Sequence, residues 1–75
     1  MSLEEKEHQV KALIARDKKD KAVKLLFEMV VTCANAKEFQ KAEAYRKQIM
    51  EVNSLALTEI ISAAEIIESE KAKAI

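Results

Sequence analysis

Along this chain the apolar positions return every three to four residues in four blocks separated by short polar breaks, the period of helices that bury one face. In the first block Leu3, Val10, Leu13 and Ile14 share a narrow stripe, with Glu4, Glu5, Lys11 and Arg16 elsewhere, so a peripheral helix is expected over about 3–16. Ser2 and Glu5 form a capping box at its start. The second block, about 18–34, is apolar around more than half its circumference, with Ala22, Leu26, Phe27, Met29, Val30 and Cys33 among the inward positions. Such a helix needs neighbours on two sides and is expected at the centre. The third, about 36–53, sets Phe39, Ala42, Tyr45, Ile49, Met50 and Val52 against Gln40, Lys41, Glu43 and Lys47. Ala42 falls inside that apolar arc and Ala44, about 160° around the helix, falls outside it.

The fourth block, about 55–73, has a broad face of Ala56, Leu57, Ile60, Ile61, Ala63 and Ile67, opposed by Thr58, Ser62, Glu65 and Ser69. Ile66 projects about 140° from the centre of that face, on the same side as Leu55. Leu55, Ile66 and Ala63 are therefore the expected interaction residues. Between the blocks, either Asp of Arg16-Asp17-Lys18-Lys19-Asp20 can cap the second helix, Asn35 with Glu38 makes a second capping box, and Ser54 is the expected cap of the fourth helix.

Composition strengthens the helical reading. No Gly or Pro occurs in 75 residues, which removes the usual material of tight turns and sheet bends. The fold class is all-α: four antiparallel helices in an array of helical hairpins, forming one domain over 1–75. Lys21-Ala22 and Lys41-Ala42, twenty positions apart, each place a small residue early in a helix, where it lets the preceding helix approach. A domain this short buries a modest core, and one Cys with one His supplies neither a disulfide nor a four-ligand zinc site. The remaining supports are well-fitted helix packing and association.

Part of the chain resembles a known repeat. The stretch Glu38-Phe39-Gln40-Lys41-Ala42-Glu43-Ala44-Tyr45, continuing to Glu51-Val52-Asn53, is similar to the second helix of a tetratricopeptide repeat, and the second block, with Leu26 and Met29 at its large apolar positions, stands for the first. The resemblance covers about 20–54. Val30 replaces a small residue, Lys37 a frequent turn Gly, and Ser54 the Pro that normally ends the unit. More broadly, Lys21-Ala22-Val23-Lys24-Leu25-Leu26, Lys41-Ala42-Glu43-Ala44-Tyr45-Arg46, Ala56-Leu57-Thr58-Glu59-Ile60-Ile61 and Glu65-Ile66-Ile67-Glu68 resemble the amino-terminal helical region of bacterial proteins in which a cyclic-nucleotide-binding domain follows. The resemblance implies a regulatory setting. It does not give this chain nucleotide binding, because a phosphate cradle needs glycines for close backbone approach.

Charge and side-chain chemistry narrow the function further. Thirteen basic and thirteen acidic residues give zero net charge, which argues against a nucleic-acid or anionic-membrane binder. The first 24 residues lean basic and the last 22 lean acidic. No stretch resembles a membrane span or signal peptide, and the free thiol suits a reducing compartment, so a cytoplasmic protein is expected. His8 lies among Glu4, Glu5, Glu7 and Lys11 and reads as a solvated histidine. Cys33 reads as a small buried hydrophobe. Glu65-Ile66-Ile67-Glu68 lacks the His of the Glu-x-x-His motif of di-iron bundles, and no other set of residues suggests catalysis. No cofactor, metal or enzymatic role is expected. The reading is an accessory domain that self-associates or positions a neighbouring domain. The open end Lys71-Ala72-Lys73-Ala74-Ile75 is expected if the domain is excised from a longer protein. The alternative is a tetratricopeptide-like peptide-binding groove, which requires residues such as Asn35 and Arg46 on a concave surface.

Overall fold

Helix α1 spans Leu3–Ala15, α2 Lys19–Asn35, α3 Phe39–Val52 and α4 Leu57–Lys73 in a computed structural model that describes residues 2–74. Ile75, the last residue of the expected open end, lies outside the described residues. The fold is all-helical. Ser2 starts α1 as expected, its backbone extended and its Oγ accepting the Glu5 N–H at 3.2 Å.

The next two boundaries differ from expectation, and for one shared reason. After α1, the Lys18 N–H reaches back to the Leu13 carbonyl at 2.8 Å and the Asp17 N–H to that of Ile14 at 3.0 Å. After α2, Glu38 bonds Cys33 and Lys37 bonds Ala34 at the same two distances. This is the Schellman arrangement, and it places Asp17 (φ 59°) and Lys37 (φ 64°) in the left-handed region that favours glycine. Each turn satisfies the carbonyls that end the preceding helix with backbone donors, and the cap residues of α2 and α3, Lys18 and Glu38, make no side-chain cap bond. Asp17 therefore caps nothing, and Asp20 lies inside the first turn of α2. Asn35 is the last residue of α2 rather than the cap of α3, which starts at Phe39 after a three-residue turn. The twenty-residue echo in the sequence is thus an echo of turn geometry.

The third connection is built differently. Asn53 is extended, its Oδ1 accepts the Leu55 N–H at 3.0 Å, and its carbonyl accepts the Ala56 N–H at 3.1 Å. Asn53 organises this turn, not Ser54, because its short amide side chain mimics a backbone acceptor two residues on. Leu55 consequently stands outside α4.

Helix α2 packs against α1, α3 and α4, and α3 also packs against α4, whereas α1 has no packed interface with α4. Leu26, Met29, Val30 and Cys33 of α2 are fully enclosed, joined by Ala42 and Ile49 from α3 and Ala63 and Ile67 from α4. Ala44 is exposed, as its register requires. α1 contributes one buried residue, Val10, and is tied across the array where the Tyr45 hydroxyl donates to Glu7 Oε1 at 2.5 Å.

Candidate functional site

The side chains that could carry a function lie along α4, on its two opposite edges. On one edge α4 runs beside α2. Lys24 and Thr58, then Glu28 and Ser62, line one stretch of the seam, and Val31 with Glu65, then Asn35 with Ser69, line the next. Each of these pairs is 34 positions apart, so the two helices run parallel with α3 antiparallel between them; 34 residues is the length of a tetratricopeptide unit. Between the helices lies a shallow groove. Its successive stretches share Lys24 and Glu59, then Ser62, which makes them continuous from Asp20 and Asn53 to Lys73. Phe27, Val31 and Ile66, all half-buried, form its apolar floor.

The other edge of α4 is open. Leu57 is 58% and Ile61 55% exposed, one turn apart, and Leu55 in the preceding connection is 83% exposed. Met50, 44% exposed, sits in the last turn of α3. The 34-residue register explains this edge. Leu57 corresponds to Val23 of α2, which is only 3% exposed, so α4 presents outward the kind of position that α2 has covered.

The structure therefore redistributes the three expected interaction residues. Leu55 is on the surface. Ala63 has no exposed surface and belongs to the core, where its small side chain lets α4 approach. Ile66 does not project to solvent on a second face; it packs against the core from the groove side. The wheel of α4 misplaced it because the buried arc is fixed by contact with two helices, and that arc is rotated toward Ile66 and away from Leu57 and Ile61. Arg46, the other residue required of a concave surface, lies on α3, bonded to Glu43 at 3.1 Å and away from the groove, whereas Asn35 is on it. Reasoning from sequence missed Phe27, Val31, Leu57 and Ile61 as surface residues. The signal that could have found them was the match of α2 to α4 at 34 positions, which the twenty-residue echo obscured.

Electrostatics mark structural links more than chemistry. Glu70 Oε1 accepts from Lys37 Nζ at 3.1 Å and Oε2 from Lys73 Nζ at 3.0 Å, and these two bonds, Lys73 first, hold its carboxyl below the usual range. Lys37 ties the α2–α3 turn to α4, and Lys71 Nζ, 5.9 Å from the Phe39 ring centroid, ties α4 to α3. Burial, then the hydrogen bond to Glu7, pushes the Tyr45 phenol well up, and burial followed by the Glu38 charge raises the Cys33 thiol. A raised, enclosed thiol is a packing element, not a nucleophile. His8 is exposed on α1, and among the described residues no three His, Cys, Asp or Glu side chains converge to hold a metal. Among the described residues no helix is long and apolar enough to cross a membrane. Comparison of the chain with protein families, curated proteins and solved structures finds no match.

Proposed function

We propose that this chain is a non-catalytic accessory domain that docks protein, either a second copy of itself or a neighbouring regulatory domain. The observation that carries the reading is the open edge of α4, where Leu57 and Ile61 stand exposed just after Leu55 of the preceding connection, while the residue of α2 equivalent to Leu57, Val23, is enclosed. Exposed aliphatics are ordinary one at a time; two on successive turns of one helix beside a third are the mark of a surface that gains from being covered. The neighbour that the sequence resemblance implies is a cyclic-nucleotide-sensing domain, and the open edge is where such a domain would rest. Sedimentation across the micromolar range tests the self-association arm. Wild type is expected to associate as concentration rises, and Leu57→Glu with Ile61→Glu to remain monomeric with unchanged helicity. A wild type that stays monomeric throughout removes that arm and leaves docking of the neighbour.

A second reading rests on a separate observation. The parallel α2/α4 seam forms a continuous groove with an apolar floor and polar walls, the form in which a helical array receives a peptide segment. Under this reading the domain is a peptide-binding module, and Asn35 is among the residues that meet the ligand. A labelled amphipathic helical peptide titrated by anisotropy distinguishes the two readings, since variants of the open edge do not affect it.

A further inference from the structure

The groove between α2 and α4 has a charge that the chain as a whole lacks. Its lining holds five carboxylates, from Asp20, Glu28, Glu59, Glu65 and Glu70, against the two ammonium groups of Lys24 and Lys73. Lys73 is spent on Glu70, which also takes Lys37. Glu28, Glu59 and Glu65 carry no ion pair among the described residues, and they flank the apolar floor of Phe27, Val31 and Ile66 from both walls. Because the chain is neutral overall, this acidity is local and not a property of any surface one might choose.

We infer that the α2/α4 groove receives a cationic amphipathic helix, whose apolar stripe covers Phe27, Val31 and Ile66 while its Lys or Arg side chains meet Glu28, Glu59 and Glu65. The inference rests on the groove reading and names its partner. Phe27 and Val31 are one turn apart on α2, a spacing that matches apolar residues one turn apart on an incoming helix. The seam follows α4, whose 17 residues extend about 25 Å, room for roughly four turns of ligand. Phosphate-bearing partners are disfavoured, since they would bring anions against three unpaired carboxylates. Complementary charge also steers encounter and rejects partners of the wrong sign.

The test uses the whole chain and two labelled helical peptides of about 16 residues, one with leucines at helical spacing flanked by lysines, the other identical but with glutamate in place of every lysine. Anisotropy titrations are expected to show the cationic peptide binding at least about tenfold more tightly than the anionic one, with the difference shrinking as salt rises. Glu28→Gln, Glu59→Gln and Glu65→Gln combined should remove most of that difference without moving the melting temperature. Leu57→Gln with Ile61→Gln, which changes the open edge without adding charge, should bind the cationic peptide as wild type does. Equal affinity for the two peptides, or a triple variant that still prefers the cationic one, overturns the charge inference and leaves the groove as a site of other specificity. Binding lost in the Leu57/Ile61 variant moves the site to the open edge and also overturns it. Failure of both peptides to bind brings down the groove reading itself.

Discussion

Helices α2 and α4 have the same length, 17 residues, and run parallel, with residues 34 positions apart side by side along their seam, yet α2 buries seven residues and α4 two. The difference does not come from hydrophobic content. Both helices carry apolar residues around a broad arc; α2 has neighbours on three sides and α4 on two. An apolar side chain becomes core only when a second element reaches it, so the same pattern gives stability in α2 and an available surface in α4.

The sharpest way to break this comparison is to truncate matched aliphatics on the two helices. Leu26 is fully enclosed, and Leu26→Ala should cost about 3 kcal/mol through lost transfer energy and the cavity left behind. Ile61 is more than half exposed, and Ile61→Ala should stay within about 0.5 kcal/mol. Urea denaturation of the two variants is the measurement. Similar losses would mean that α4's outer edge is covered in solution, as it would be in a stable dimer, and repeating the Ile61 variant at low protein concentration would expose that directly.

How far these features could be read from the sequence depends on how local their causes are. The cap at Ser2, the central position of α2, the enclosed Ala42 and Cys33 and the exposed Ala44 follow from spacing along one helix, and the structure agrees with each. The turns were less legible because the left-handed positions are held by Asp17 and Lys37, with no glycine to mark them. Asn35 followed by Glu38 imitates a capping box, but Asn35 ends α2, and Glu38, the cap residue of α3, makes no side-chain cap bond. The orientation of α4 was the least legible. Which edge of a broad apolar arc is buried depends on the angle between two other helices, and Ile66 and Ile61 change places when that angle is known.

The turns themselves offer a smaller test, one that compares the two ends of α2 with the entry to α4. Lys37→Gly and Asp17→Gly relieve a left-handed backbone that side chains disfavour, and each should raise stability by about 0.5–1 kcal/mol. The loss of the exposed Lys37–Glu70 pair detracts little from the first, because Glu70 keeps Lys73. Asn53→Gly is expected to do the opposite, lowering stability by about 1 kcal/mol, since it removes the side-chain acceptor of the Leu55 N–H in an extended residue that gains nothing from glycine. Chemical-denaturation midpoints report all three. A gain at Asn53 would contradict its role in the turn.

The smallest effects concern pH, and the two outer helices should respond with opposite sign. α4 is fastened through Glu70, whose folded carboxyl titrates below its unfolded value because Lys73 and Lys37 donate to it. A depressed carboxyl contributes stability that is complete above the unfolded value and disappears as pH falls through the folded one. α1 is fastened to α3 through Tyr45, whose phenol is raised by burial and by its bond to Glu7. A raised phenol contributes stability that is complete below its unfolded value and declines as pH climbs beyond it, because ionised Tyr45 would face the Glu7 carboxylate with no proton between them. Cys33, also raised, adds to the alkaline loss. Glu70→Gln should therefore flatten the melting-temperature profile on the acid side only, and Tyr45→Phe on the alkaline side only, with near-neutral helicity unchanged in both. A Tyr45→Phe profile that still fell as steeply at high pH would assign the alkaline loss to Cys33, whereas an unchanged acid limb in Glu70→Gln would show that α4 is held by its packing and not by the Glu70 carboxylate.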